Sequence, residues 1–181
     1  MQDSLAIIQL SDIHFNTKEN AVKNKSEKLF DAIKNEIGNN KSVFIIVTGD
    51  IADKGLKDEY DIAYEFFNEL ESNIKNDCKN CNIHFIFTPG NHDCDLSDEA
   101  AEDIRAIVIE KIIKEPDGIK PSYIEQCISV QSNYFEFIKK FDSYNYINKS
   151  ISNHLLSRYE FKVGNKTISF NSFNVSWISR R

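Results

Sequence analysis

Apolar residues along this chain fall into two alternating patterns. Leu5-Ala-Ile-Ile-Gln-Leu10 and Val43-Phe-Ile-Ile-Val47 are short, nearly continuous and rich in branched side chains, and Asn82–Phe87 is a third such run. Runs of this kind fit strands covered on both faces. Between them the apolar positions recur at helical spacing. From about Ala21 to Ile37 the stripe is Val22, Leu29, Phe30, Ile33 and Ile37, with Gly38 as a stop; from Leu56 to Leu70 it is Tyr60, Ala63, Phe67 and Leu70. Strand, polar turn and helix thus recur, which predicts an α/β fold with a parallel sheet and crossover helices.

Past Asp95 the pattern changes. Ser97 is placed to cap a helix running to about Lys114, with Ile104, Ile107, Val108 and Ile112 as its stripe. Pro116-Asp117-Gly118 breaks it, and Pro121 to about Tyr146 predicts one or two aromatic-rich helices. Residues 97–150 therefore read as a helical insertion, expected beside or over the carboxyl ends of the strands, within a single domain spanning 1–181. Arg158–Val163 and Thr167–Phe170 flank Gly164-Asn165, a hairpin signal.

Composition narrows the function classes. Apolar residues make up 41% and charged residues 28% of 181, ordinary values for a soluble globular chain able to bury a core. The net charge of −6 argues against a broad nucleic-acid face, and Lys139-Lys140 and Arg180-Arg181 are too short to form one. It leaves room for a metal-dependent nuclease, in which bound cations supply the positive charge. The N-terminus lacks a basic segment followed by an apolar core, so no signal peptide is expected, and no apolar run reaches the length of a membrane span. Four cysteines in a chain this long do not form a disulfide framework, which predicts a reduced, cytoplasmic protein. Cys78-Lys-Asn-Cys81 lacks a second pair at matching spacing and reads as ordinary loop cysteines.

The polar turns carry the chemistry. Each follows a predicted strand: Asp12-Ile13-His14, then Gly49-Asp50-Ile51-Ala52-Asp53, then Gly90-Asn91-His92-Asp93. In an open parallel sheet, functional groups collect beyond the carboxyl ends of the strands, so these turns are expected to meet. Carboxylates, imidazoles and a side-chain amide together suit a divalent ion such as Mn, Fe or Zn. If Asp12-x-His14 is extended, both side chains point the same way and grip one ion.

In this order and placement, the D-x-H, G-D-x-x-D and G-N-H-D blocks resemble the calcineurin-like metallophosphoesterase superfamily, and "GDIADKGLKDEY" with "GNHD" looks most like its bacterial, cyclic-nucleotide-phosphodiesterase-like branch. The resemblance covers 5–95 strongly and 158–178 more loosely. It implies a β-sandwich of two mixed sheets flanked by helices, two divalent metal ions and hydrolysis of a phosphomonoester or phosphodiester substrate. Carried over by position, Asp12 and His14 hold one ion, Asp50 bridges both and Asn91 holds the second. His92 acts on the leaving oxygen or the phosphate, oriented by Asp53. The family's later histidine blocks are absent through Arg181, so the expectation is that the C-terminal part of the fold lies beyond this chain and that these 181 residues alone turn over poorly. A nuclease of the same superfamily, acting on nucleic acid, and a non-catalytic scaffold module are the competing readings.

The remaining candidates have plainer readings. His84 sits within a strand and is expected to be packed there, and His154 reads as a loop residue. Asp93 and Asp95 are expected to support neighbouring loops or to face solvent. The aromatic residues of 134–146 are expected mainly in the core, with a cleft lining as the alternative.

Overall fold

A computed structural model describes residues 4–18, 25–38, 40–141, 148–152 and 154–180, with backbone alone over 148–152. The three predicted strands are present as β1 (Leu5–Leu10), β2 (Ser42–Thr48) and β3 (Asn82–Thr88). They form a parallel sheet in the order β1-β2-β3. Leu10 pairs with Val47, and Thr48 with Thr88, so all three strands end at one edge. Helix α1 (Ser26–Ile37) follows β1 and helix α2 (Lys57–Asp77) follows β2. Val22 of the predicted first helix lies outside the described residues. Helix α2 runs seven residues past the predicted Leu70, and Ile74 continues its buried stripe.

Strand alternation divides the core in two. Val43, Ile45, Val47, Ile83, Phe85 and Phe87 face the helices, where Tyr60, Ala63, Phe67 and Leu70 meet them. Phe44 and Ile86 point the other way, onto Tyr159, Phe161 and Val163 of a second sheet. That sheet is antiparallel and comprises β4 (Asn148–Ser152), β5 (Leu156–Val163) and β6 (Lys166–Phe173), in that order. The predicted hairpin at Gly164-Asn165 joins β5 to β6. Ser172 Oγ donates to Phe87 O at 3.2 Å, pinning β6 to β3. The architecture is the expected sandwich with helices outside. Among the described strands one sheet is wholly parallel and the other wholly antiparallel, rather than each being mixed.

The inserted segment departs from expectation in three ways. Helix α3 (Glu99–Lys114) is capped by Asp98, whose side chain accepts from Ala101 N, and not by Ser97. Its buried face carries Arg105, Ile109 and Ile112, whereas the predicted stripe residues Ile104 and Ile107 are exposed. A charged residue holds the inward position, so an apolar stripe misplaces the face by about one residue. Helices α4 (Pro121–Ile128) and α5 (Ser132–Lys139) follow, but 148–150 belong to β4, so the helical part ends earlier than predicted. Tyr134, Phe137 and Phe141 join the main core against α2 and β3. Tyr144 and Tyr146 lie outside the described residues.

Candidate metal centre

The three polar turns meet at the carboxyl edge of the parallel sheet because their backbones are hydrogen-bonded to one another. Ile13 N and His14 N both donate to Asp50 O, at 2.9 and 3.0 Å, and Phe15 N donates to Ile51 O at 2.8 Å. The third turn joins through His92 N, which donates to Asp50 Oδ1 at 3.0 Å. Gly90 permits this approach: a Cβ there would lie 2.1 Å from Asp50 Oδ1 and 2.5 Å from Asp50 N. No side chain larger than hydrogen fits.

Asp12, His14 and Asp50 each offer a ligand atom within 4.8 Å of the others, as do His14, Asp53 and His92. His14 belongs to both groups. The His14 and His92 rings lie edge to face, 4.5 Å apart. Asn91 opens the short 3-10 turn Asn91–Asp93 beside Asp50 and lines an adjoining cavity. The residues singled out from the sequence are therefore brought together.

The local geometry differs from the simple extended picture. Asp12, His14 and Asp50 have φ of 54°, 53° and 52°, in the left-handed region. Asp12-x-His14 is thus not extended, and its side chains converge through two left-handed residues instead. Such residues cost of order 1–3 kcal/mol each and persist where the surroundings over-determine them. Here the crossed hydrogen bonds to Gly49, Asp50 and Ile51 carbonyls do so. Ser11 Oγ also donates to Asp12 Oδ2, fixing that carboxylate.

Asp53 contacts His92 through its backbone. His92 Nδ1 lies 2.7 Å from Asp53 O. A carbonyl can only accept, so Nδ1 carries a proton, and Nε2 is directed away from this bond. The Asp53 carboxylate, expected to orient His92, lies instead 3.7 Å from His14 Nδ1.

Asp93 is fully buried and supports the assembly from below. Its carboxylate accepts from Gly90 N (2.8 Å), Ala52 N (3.0 Å), Ile51 N (3.2 Å) and Tyr60 Oη (2.8 Å). Burial pushes its pKa up, while the hydrogen bonds from Ala52, Gly90, Tyr60 and Ile51 oppose the rise. In the sequence Tyr60 is legible only as part of a helical stripe; its hydroxyl role depends on a partner 33 residues away.

Cys78, Cys81, His84 and His154 stand apart from this centre. Cys81 Sγ donates to Cys78 O at 3.0 Å, and burial pushes the Cys81 thiol up to about 12, far from thiolate chemistry. His84 is buried between Phe44 and Phe161, as its place in a strand predicts. His154 is an exposed residue whose ring lies edge to face against Phe135, centroids 4.4 Å apart. Among the described residues no helix is long and apolar enough to cross a membrane.

The donor set fits a divalent cation: hard carboxylate oxygens and imidazole nitrogens, within 4.8 Å of one another in each group and held by strained backbone. Comparison with known proteins agrees. An uncharacterized protein of Acanthamoeba polyphaga mimivirus is 33% identical over 118 residues, which is 61% of this chain and 8% of that protein. The chain thus spans less than a tenth of the length of this relative. The sequence model of the calcineurin-like phosphoesterases matches residues 5–178, nearly the whole of the chain. The chain belongs to the calcineurin-like phosphoesterase family.

Proposed function

We propose that this chain carries the phosphoester-hydrolysing centre of a two-metal phosphoesterase. The observation that carries the reading is the convergence of Asp12, His14 and Asp50 within 4.8 Å of one another, next to a second group that shares His14. Asp12, His14 and Asp50 would hold one ion, and Asp50 with Asn91 the other. Ions held there would supply Lewis-acid charge to phosphoryl oxygens and lower the pKa of a water.

The chain's own residues do the rest. His92, with Nδ1–H tied to Asp53 O, presents Nε2 to the leaving oxygen; as imidazolium its Nε2–H gives that oxygen a proton, and Nε2 then takes one back from solvent. Asp93 and Tyr60 hold the second and third turns in register. Gly90 lets the Asp50 carboxylate sit against the third turn.

Mn²⁺ titration followed by electron paramagnetic resonance, with bis-p-nitrophenyl phosphate turnover on the same samples, tests the reading. Three named ligands against two predict one tight and one weak site. Asp50→Asn should reduce both metal uptake and turnover. His92→Ala should leave uptake intact and lower kcat by ~10²–10⁴-fold. A chain that takes up no Mn²⁺ would favour a scaffold role instead.

A further inference from the structure

A cavity of about 550 Å³ adjoins the metal centre, within the size range that takes a small organic molecule. Asn91, His92 and Asp53 form the side it shares with the centre, and Leu56, Cys94 and Leu96 contribute apolar lining. Two cationic side chains also face it, Lys54 and Arg180. They lie far apart in the sequence, and each is delivered by a built support.

Lys54 follows the second turn directly. Its N–H donates to Glu59 Oε2 at 2.9 Å, and Glu59 is itself buried and also accepts from Leu56 N. Gly55 then packs so closely on the third turn that a Cβ would lie 2.6 Å from Asp95 N. Arg180 is delivered by Arg105. That buried guanidinium donates to Cys127 O at 3.0 Å, Trp177 O at 3.0 Å and Ser179 O at 2.7 Å, clamping the segment that ends at the cavity. A second anchor lies just before it, where Ser176 Oγ donates to Pro89 O at 3.2 Å.

Both supported cations remain available. No ion pair among the described residues engages Lys54 or Arg180. Arg180 makes one long hydrogen bond, Nη2 to Ala106 O at 3.5 Å. The carboxylates on the same wall are turned to other partners: Asp53 to His14, and Asp95 Oδ1 to Ser97 N at 3.1 Å. The lining thus balances two cations against two carboxylates, and Lys54 and Arg180 are the groups on it with donors left for a phosphoryl oxygen.

We propose that the cavity is a substrate subsite in which Lys54 and Arg180 bind a second phosphoryl group, carried by the organic part of the substrate beyond the phosphoester at the metals. The inference rests on the metal-centre reading for the position of the first group. It makes the preferred substrate an organic phosphoester with a second phosphate, its carbon framework seated against Leu56 and Leu96.

Phenylphosphonate and 1,4-phenylenebisphosphonate test this, because they share a ring, resist hydrolysis and differ by one phosphonate. Calorimetry on the Mn²⁺-loaded chain should show the bisphosphonate binding about tenfold tighter or more, beyond the statistical factor of about two for its equivalent ends. The double variant Lys54→Ala/Arg180→Ala should erase that preference and leave phenylphosphonate affinity unchanged. Equal affinities in the parent, or a preference that survives the double variant, would overturn the subsite. If the chain takes up no Mn²⁺, the metal-centre reading fails on that measurement alone. The same pair on the metal-free chain then decides the subsite: a bisphosphonate preference lost in the double variant supports it, and equal binding overturns it.

Discussion

The Tyr60 hydroxyl donates to Asp93 Oδ1 at 2.8 Å, joining the helix after the second turn to the carboxylate that holds the second and third turns together. This bond lies wholly inside the protein. Removing Tyr60's hydroxyl and removing Asp93's carboxylate should therefore have unequal consequences.

Tyr60→Phe should cost about 1 kcal/mol, the net worth of one buried hydrogen bond. Asp93→Ala should cost ~3–5 kcal/mol, because it strands the N–H groups of Gly90, Ile51 and Ala52 without an acceptor. Urea unfolding of both single variants and the double variant checks this. A non-zero coupling energy between the two sites is the expected result.

Gly90→Ala should disrupt the metal centre more than the fold. Its Cβ would lie 2.1 Å from Asp50 Oδ1 and 2.5 Å from Asp50 N, so the carboxylate must move away from the His92 amide and the second turn must shift with it. Mn²⁺ affinity should fall at least ~10-fold. Far-ultraviolet circular dichroism should stay close to that of the parent.

Arg105→Ala should release the terminal segment. The guanidinium serves Cys127, Trp177 and Ser179 carbonyls and pairs with Glu102 at 3.0 Å. Losing a buried charge that satisfies several acceptors typically costs ~3–5 kcal/mol. Amide exchange should rise selectively at 176–179, which a merely global loss of stability would not produce. Arg105→Lys should not restore protection, since an ammonium lacks the planar fork that reaches three carbonyls.

His84 gives a defined pH dependence. Burial lowers its pKa to about 4, and its Nδ1 has no hydrogen-bond partner among the described residues. The unfolded chain binds a proton near pH 6.5 that the folded chain refuses until about pH 4. Stability should therefore be full above ~6.5 and decline as pH falls toward 4, by about 2 kcal/mol after allowance for partial access of water. His84→Phe should flatten that part of the profile, read from denaturant midpoints between pH 4 and 7. An unchanged slope would show that other groups govern the acid limb.

Much of the centre could be read from the chain alone. Leu5–Leu10, Val43–Val47 and Asn82–Phe87 declare themselves as buried strands by composition, and each is followed at once by its polar turn. Parallel pairing then leaves the turns nowhere to go but one edge, so Asp12, His14, Asp50, Asn91 and His92 were expected together. Local sequence is sufficient there because each functional residue lies within a few positions of the strand end that places it. The tertiary structure alone decided the rest. Whether Asp93 faces solvent or joins two turns to helix α2 depends on amides brought in by a different turn. Arg105 can occupy the inward face of its helix only because the carbonyls of Trp177 and Ser179, 72 and 74 residues away, pay its desolvation. Asp12 and His14 are held in left-handed backbone by acceptors on the neighbouring strand end. A buried charge or a strained dihedral is tolerated only when partners surround it, and those partners are distant in the chain.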